Sequence, residues 1–191
     1  SPELAQAIAL SAFSALGLHA PLVRAVLEEG YSEPSPIQRE ILPQGVLGRD
    51  VLACAQTGTG KTAAFLLPVL QHLSKQSASR VRALVLAPTR ELAAQVGERA
   101  TAYGRHLDVR HAVIYGGVSQ HKQEIALRKS PDLLVATPGR LIDLLNQKLV
   151  ELGGVTHLVL DEADRMLDMG FIHDVRRILT FVPKKRQTLL F

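Results

Sequence analysis

Short apolar runs alternate with segments of helical period along most of the 191-residue chain. The apolar runs are rich in valine and leucine and lack strict alternation, which is typical of strands buried on both faces of a sheet. They occupy residues 50–54, 82–87, 111–115, 132–136, 158–160 and 188–191. Helical spacing covers residues 61–73, 90–103, 119–127, 140–147 and 171–181. The alternation predicts an α/β fold with a central, mostly parallel sheet and helices on both faces.

Two segments lie outside this alternation. Residues 1–48 precede the first predicted strand and are expected to form a helical approach segment of the same lobe as residues 49–191. Residues 74–80 are rich in Ser, Lys and Gln and are the most loop-like part of the chain. The length and a hydrophobic fraction of 47% favour a single domain with one sizeable core.

Charge and cysteine content narrow the function classes only slightly. A net charge of +4 permits nucleic-acid binding without demonstrating it. The single cysteine, Cys54, allows no disulfide within the chain, which fits a reducing compartment and predicts a cytoplasmic protein. Cys54 follows Val51, Leu52 and Ala53, so we expect a buried, inert thiol. No apolar stretch approaches the roughly 20 residues that span a bilayer, so no membrane association is expected.

A glycine-bearing loop follows the first predicted strand and precedes the first predicted helix of the alternation. It reads Ala55-Gln56-Thr57-Gly58-Thr59-Gly60-Lys61-Thr62. Its glycines let successive N–H groups point at one anion, and the following helix aims its positive dipole end at the same place. Lys61 is expected to reach the β- and γ-phosphates of a nucleotide, and the Thr62 hydroxyl to bind Mg²⁺. Ala55 stands where the general phosphate-loop pattern has a glycine.

A cluster of carboxylates follows the predicted strand at residues 158–160. Asp161 and Glu162 are adjacent, and such a pair is stable only if it is solvated or faces a cation. Mg²⁺ carried by a nucleotide would satisfy Asp161, and Glu162 could then position and deprotonate the attacking water. Taken alone, the cluster is equally compatible with an acidic helix N-cap. The phosphate loop upstream favours the nucleotide interpretation.

At this point the chain resembles the DEAD-box helicases of superfamily 2. Residues 161–164 spell D-E-A-D, and the phosphate loop has that family's A-x-T-G-x-G-K-T form, which accounts for Ala55. Residues 30–38 are similar to the family's Q motif, with the upstream aromatic at Phe13. The resemblance implies a RecA-like P-loop NTPase fold that uses ATP and Mg²⁺. The run from Asp164 to Asp174 is most similar to the bacterial RhlE-type subgroup.

The resemblance also implies roles for the residues that match the Q motif. Gln38 would read the adenine edge with its amide, since an amide can both donate to and accept from adenine. Tyr31 would stack on the adenine ring. Phe13 is expected to pack behind the Q segment rather than to touch nucleotide. Without the resemblance, Tyr31 and Phe13 would be interpreted as core aromatics.

Three further motifs resemble the family's RNA-contacting segments. They comprise Pro88, Thr89 and Arg90; Gly116 and Gly117; and Thr137, Pro138, Gly139 and Arg140. Thr137 also reads as a helix N-cap with Pro138 at the first helical position, and one residue can serve both purposes. Contacts from such turns reach the RNA backbone rather than base edges, so we expect little sequence preference.

The resemblance implies a second RecA-like lobe that these 191 residues do not contain. That lobe would carry further RNA contacts and the arginine finger, which contributes roughly 10³–10⁵ in rate to phosphoryl transfer. We therefore expect this chain alone to bind adenine nucleotide weakly, to hydrolyse it very slowly and not to unwind RNA.

Two other functions remain to be separated from a helicase lobe. A non-catalytic RNA-binding module would keep the fold but would be expected to lose one of Lys61, Thr62, Asp161 or Glu162, all of which are present. A different nucleotide-driven P-loop protein, such as a DNA translocase, would not be expected to carry the Q segment.

Overall fold

The computed structural model describes residues 1–56 and 58–191, and every statement about elements refers to these ranges. The approach segment forms α1 (Pro2–Leu10), α2 (Ala12–Ala15), α3 (Ala20–Glu28) and α4 (Pro36–Val46). The alternating part forms β1 (Val51–Leu52), α5 (Lys61–Ser74), β2 (Ala83–Leu86), α6 (Arg90–Tyr103), β3 (His111–Ile114), α7 (Gln120–Arg128), β4 (Leu133–Ala136), α8 (Pro138–Asn146), β5 (His157–Leu160), α9 (Ala163–Asp168), α10 (Ile172–Thr180) and β6 (Gln187–Leu190).

The six strands form one sheet in the order β1-β6-β5-β2-β4-β3, and every pairing is parallel. The α/β class and the parallel sheet predicted from the sequence are therefore confirmed. All strands point the same way, so the turns that follow them gather at one edge of the sheet. This edge carries the candidate chemistry.

Successive residues of the central strands face opposite layers, as the pleat requires. In β2, Ala83 and Val85 pack into a cluster with α2 to α6, whereas Leu84 and Leu86 pack into a second cluster with α8 and α10. Phe13 of α2, Val23 of α3 and Leu42 of α4 belong to the first cluster, so the approach segment shares its core with the phosphate-loop helix. Phe13 is fully buried there.

The first strand departs from the prediction. Strand β1 has two residues and lies at the sheet edge, with Leu52 82% exposed. The predicted burial of Cys54 is wrong, because the chain leaves the sheet after Ala53 and exposes the thiol. An edge strand has a neighbour on one side only, and its position in the sheet is not visible in a local apolar run.

The remaining boundaries differ by small amounts. Helices α5, α6, α7 and α10 begin and end within one residue of their predicted limits, and α8 begins two residues early at Pro138. Helix α9 was not predicted as an element. In the part of the chain that the structure describes, no helix is both long and apolar enough to cross a membrane.

Candidate nucleotide site and RNA-facing surface

The phosphate-loop lysine and the acidic tip meet at the carboxyl edge of the sheet. Lys61 opens α5, and its Nζ lies 2.9 Å from Oδ1 of Asp161 and 3.4 Å from Oε1 of Glu162. Asp161 follows β5 directly. The sequence places these groups 100 positions apart, and the fold brings them into direct contact.

Asp161 is held in an environment that disfavours a lone charge. Its side chain is almost fully buried, and burial raises the pKa of its carboxyl above the usual value, while the Lys61 ammonium opposes that rise. Its Oδ1 has Lys61 as an ion-pair partner but no well-directed hydrogen bond among the described residues. A buried carboxylate oxygen of this kind suits a cation better than a neutral donor.

Glu162 adopts a backbone conformation that is rare for a residue with a side chain. Its φ is 53°, in the left-handed region, at the N-cap of α9. Such strain is held in place by the surrounding structure and clusters at functional sites. The carboxylate lies close to Lys61 and also 3.3 Å from Nη1 of Arg165. The strained turn thus directs Glu162 towards the phosphate-loop lysine.

The phosphate loop is shaped by two glycines in the left-handed region. Gly58 has φ 85° and Gly60 has φ 84°, and Gly60 is the N-cap of α5. Side chains rarely adopt this conformation, so glycine is strongly favoured at both positions. The free N–H groups of the first turn of α5 and its dipole face the site. Thr57, which was predicted to belong to the loop, lies outside the described residues.

The Q segment is fastened to the phosphate loop through Gln38. Ser35 and Gln38 form a capping box at the start of α4, and Nε2 of Gln38 donates a hydrogen bond of 3.2 Å to the carbonyl of Gly60. Gln38 is 5% exposed. Each end of its amide has capacity for one further bond, because Nε2 carries a second hydrogen and Oε1 a second lone pair. The amide therefore retains both functions that reading adenine needs.

Residues of α6 hold Tyr31 in place. Its hydroxyl lies 3.2 Å from the hydroxyl of Tyr103, whose burial raises the pKa of that phenol. Arg99 lies over the Tyr103 ring at 5.7 Å and donates a hydrogen bond of 2.8 Å to Glu29. The turn that carries Tyr31 is thus anchored on both sides of Gly30.

These groups surround one cavity of about 720 Å³. Its lining includes Tyr31, Gln38, Gly58, Thr59, Gly60, Lys61, Thr62, Asp161 and Glu162. Ala55 and Gln56, predicted to belong to the nucleotide site, lie outside this lining. The sequence reasoning missed the wall formed by α6, which comprises Leu92, Gln95, Val96, Glu98, Arg99 and Tyr103. These residues recur at helical spacing after Arg90, and this spacing was the sequence signal that could have indicated a common helix face.

The donors in the cavity fit a magnesium ion that arrives with phosphates. Thr62 and Asp161 both line it and supply a hydroxyl and a carboxylate. Across residues 1–56 and 58–191, no group of three or more His, Cys, Asp or Glu side chains could hold a metal ion. Mg²⁺ typically takes one or two carboxylates together with substrate phosphates, so a sparse protein donor set is what it needs.

The turns predicted to face RNA follow β2, β3 and β4, three neighbouring strands. The guanidinium of Arg90 lies 5.8 Å from the centroid of the Tyr115 ring, a cation–π distance. Gly117 has φ 80°, and a Cβ there would lie 3.5 Å from Nη1 of Arg90. The glycine doublet and Arg90 therefore lie side by side.

The turn after β4 presents a helix start and a second arginine. Thr137 is the N-cap of α8, and its hydroxyl makes no capping bond. Arg140 donates hydrogen bonds to Oε1 of Gln123 at 2.9 Å and to the carbonyl of Val118 at 3.0 Å. Gly139 is exposed beside it. Together, these groups can bind the anionic backbone of a nucleic acid.

Three of the residues predicted to contact RNA have a structural task in the fold. Pro88 and Pro138 are buried and present little surface, so they set the path of the turns. Thr89 is the N-cap of α6, with its hydroxyl accepting from the N–H of Leu92 at 3.2 Å. Gly116 is only partly exposed, beside Gly117.

The chain is similar in sequence to known proteins. The chain is 49% identical over 182 residues to the DEAD-box ATP-dependent RNA helicase CshA of Bacillus cereus, covering 95% of this chain and 34% of that protein. It is 50% identical over 180 residues to the ATP-dependent RNA helicase DeaD of Escherichia coli K12, covering 94% of this chain and 28% of that protein. The chain thus spans about a third of the length of the curated relatives it matches.

A solved structure is also similar. The crystal structure of a DEAD box protein from the hyperthermophile Methanococcus jannaschii aligns with a TM-score of 0.88 and 37% identity, over 94% of this chain and 49% of that one. A family model described as DEAD/DEAH box helicase matches residues 35–191. Since that match covers well over half of the sequence, the chain belongs to the DEAD/DEAH box helicase family.

Proposed function

We propose that this chain is the ATP-binding lobe of an ATP-dependent RNA helicase, in which ATP binding and hydrolysis drive local unwinding of RNA duplexes. The observation that carries the proposal is the placement of Lys61, 2.9 Å from the buried Asp161, in a cavity that Gln38 also lines. One cavity therefore offers a phosphate-binding cation, a carboxylate for a metal ion and an amide for a base. CshA and DeaD, the relatives described above, are named as ATP-dependent RNA helicases.

At the phosphate end, Lys61 and the first turn of α5 would bind the β- and γ-phosphates. Thr62 and Asp161 would hold Mg²⁺, which neutralises charge on the phosphates when bound. Glu162 would accept the proton of the attacking water. Its proximity to Lys61 supports this role, because the carboxylate lies at the same end of the cavity.

At the base end, Gln38 would donate to and accept from the adenine edge, and Tyr31 would stack on the ring. Guanine keeps the N7 acceptor but has an O6 acceptor where adenine has an amino donor, so one of the two amide bonds would be lost and the amide would select against it. The bond from Gln38 to the Gly60 carbonyl supports a site in which base reading and phosphate binding are adjacent.

At the RNA-facing surface, the exposed Arg90, Gly117 and Gly139 and the partly exposed Thr137 and Arg140 would contact the RNA backbone, with little sequence preference. The activity of the complete protein would require a second RecA-like lobe, whose closure over ATP and RNA completes the site. The RhlE-type subgroup and the cytoplasmic location remain predictions. The two relatives described above are CshA and DeaD helicases.

Titration with ADP and GDP tests the adenine argument. We expect the unaltered protein to bind ADP clearly more tightly than GDP. We expect Gln38→Ala to lose much of this preference for ADP and to lose less of its overall nucleotide affinity, because the phosphate contacts remain. Equal affinity of the unaltered protein for the two nucleotides would remove the assignment of Gln38.

The full-length Glu162→Gln variant tests the catalytic assignment. We expect it to keep ATP binding and to lose roughly 10²–10⁴ in hydrolysis rate, the usual contribution of a general base. Asp168→Asn, on the exposed side of the same acidic helix, is the matched control and should hydrolyse normally. Normal turnover in Glu162→Gln would refute the general-base role.

A further inference from the structure

A buried glutamine occupies the otherwise polar helix α7. Gln123 is 7% exposed and is the buried residue of that helix. It belongs to none of the motifs that the sequence resemblance supplied. Burying an amide is unfavourable unless both of its ends are hydrogen-bonded, so the partners of Gln123 indicate its task.

The two ends of the Gln123 amide bind two different turns. Nε2 donates a hydrogen bond of 2.9 Å to the carbonyl of Tyr115, at the end of β3. Oε1 accepts a hydrogen bond of 2.9 Å from Nη1 of Arg140, in the first turn of α8. The same guanidinium reaches the carbonyl of Val118 through Nη2. One side chain therefore joins the glycine-doublet turn to the arginine of the following turn.

Arg140 keeps donors for a further ligand while it is held in this way. A guanidinium carries more N–H groups than these two bonds use, and its charge is not neutralised by a carboxylate in any ion pair among the described residues. Both acceptors are neutral. The arginine is thus oriented without losing its attraction for an anion.

The other end of the amide supports the second arginine of this surface. The ring of Tyr115, whose carbonyl Gln123 binds, lies under the guanidinium of Arg90 at 5.8 Å. Gly117 follows in the same turn, and a Cβ there would lie 3.5 Å from Nη1 of Arg90. Gln123 therefore bonds to Arg140 directly. It supports Arg90 indirectly, because it binds the backbone carbonyl of Tyr115, whose ring contacts Arg90.

We propose that Gln123 is a positioning residue for RNA-backbone binding, which it serves by holding Arg140 in its phosphate-facing orientation. The inference rests on the proposed RNA-binding function of this surface. A free arginine must lose side-chain entropy when it binds a phosphate, whereas one already oriented loses less. The amide itself need not touch RNA.

The test is the affinity of the full-length protein for a fluorescein-labelled oligouridylate, measured by anisotropy at several salt concentrations. We expect Gln123→Leu to weaken binding roughly fivefold, the equivalent of about one hydrogen bond. We also expect the dependence of log affinity on log salt to become shallower, as for the loss of about one phosphate contact. Gln120→Leu, one turn earlier on α7 and bonded to Gln147 and Glu124, is the matched control and should bind normally.

A double-mutant cycle separates positioning from a general effect on folding. In an Arg140→Ala background, Gln123→Leu should have little further effect, because the group through which it acts is gone. Equal weakening in both backgrounds would overturn the proposal, as would wild-type affinity of Gln123→Leu. If the unaltered protein does not bind the oligouridylate, or Arg140→Ala binds as well as wild type, the proposed function of this surface fails instead.

Discussion

At the scale of single residues, the site is organised around a buried opposite-charge pair. Asp161 is stable as a carboxylate because Lys61 lies against it, and Lys61 is itself 7% exposed. A lone buried charge is strongly unfavourable, so each partner depends on the other. The same two groups are proposed to bind phosphate and metal, which ties the stability of the fold to the machinery of the site.

The first prediction concerns the removal of one partner. Lys61→Ala should abolish nucleotide binding and lower the free energy of unfolding by about 3 kcal/mol near neutral pH. The loss should shrink as pH falls, because burial raises the pKa of Asp161 and the protonated carboxyl needs no cation. Urea unfolding at several pH values measures this.

A second substitution controls the interpretation of that loss. Lys61→Ala combined with Asp161→Asn should regain most of the stability without regaining nucleotide binding. Lys75→Ala, at the exposed C-terminal end of the same helix, should cost almost nothing. A double variant as unstable as Lys61→Ala alone would contradict the ion-pair explanation.

The meeting of Lys61 and Asp161 could be predicted because both follow strands of a parallel sheet, whose carboxyl ends share one edge. Arg99, Tyr103 and Gln123 could not be assigned to a site in the same way. They lie in the middle or at the end of helices, and their roles depend on which elements pack beside them. Local spacing shows a helical face but not its neighbour.

At the scale of elements, the central strands were predictable, whereas the exposure of the edge strand β1 was not. Strands β2, β4 and β5 are bordered by strands on both sides and read as continuous apolar runs. Strand β1 gave a similar run but has one neighbour, β6, and exposes Leu52. Helix α9 was missed because its six residues include the end of the acidic motif, which was interpreted for chemistry rather than for helix formation.

The second prediction concerns the contact between the Q segment and the phosphate loop. A Cβ at Gly60 would lie 2.5 Å from Nε2 of Gln38 and 2.9 Å from Oγ of Ser35. Gly60→Ala should therefore displace Gln38 and weaken nucleotide binding at least tenfold, with a loss of adenine selectivity. Competition between ADP and GDP measures both effects.

Gly58→Ala provides the comparison for Gly60→Ala. Its φ is nearly the same, but an added Cβ would meet no atom of the described residues within 4 Å. Gly58→Ala should be destabilised by backbone strain as Gly60→Ala is, by about 1 kcal/mol. Unlike Gly60→Ala, it should keep the preference for adenine. Equal loss of selectivity in the two variants would show that strain alone, and not Gln38, explains the effect.

The third prediction concerns the packing of α5 on β5. His72 and His157 stack with ring centroids 4.7 Å apart, and burial lowers the pKa of His157 from 6.5 to about 4. Between these values the unfolded chain binds a proton that the folded protein does not, so stability must fall as pH falls through this window. The loss from this group is about 3 kcal/mol.

Replacement of the titrating ring tests that assignment. His157→Gln should flatten the dependence of the unfolding free energy on pH between 6.5 and 4, although it removes the stacking contact at neutral pH. His121→Gln, on the exposed surface of α7, should leave the wild-type slope unchanged. An unchanged slope in His157→Gln would show that other groups produce the loss.

At the scale of the whole molecule, the carboxyl edge of the sheet is divided between two tasks. The phosphate loop follows β1 and the acidic tip follows β5, in the half of the sheet formed by β1, β6 and β5. The turns proposed to face RNA follow β2, β4 and β3, which form the other half. Helix α6 belongs to both halves, because it begins at Arg90 and lines the nucleotide cavity with Arg99 and Tyr103.

This division leads to the last prediction, which concerns the 191-residue chain by itself. Of the described residues that line the cavity, the cations are Lys61 and Arg99, and Arg99 lies at the base end beside Tyr103. The phosphate end therefore lacks the arginine that stabilises charge in phosphoryl transfer, which contributes roughly 10³–10⁵ in rate.

We expect weak nucleotide binding, very slow phosphate release and no unwinding, with the Lys61→Ala chain measuring contaminating activity. Because the RNA-facing half and the nucleotide half would be joined only when a second lobe closes over both, oligouridylate should not stimulate the chain. Strong stimulation of its steady-state turnover by RNA would show that one lobe suffices.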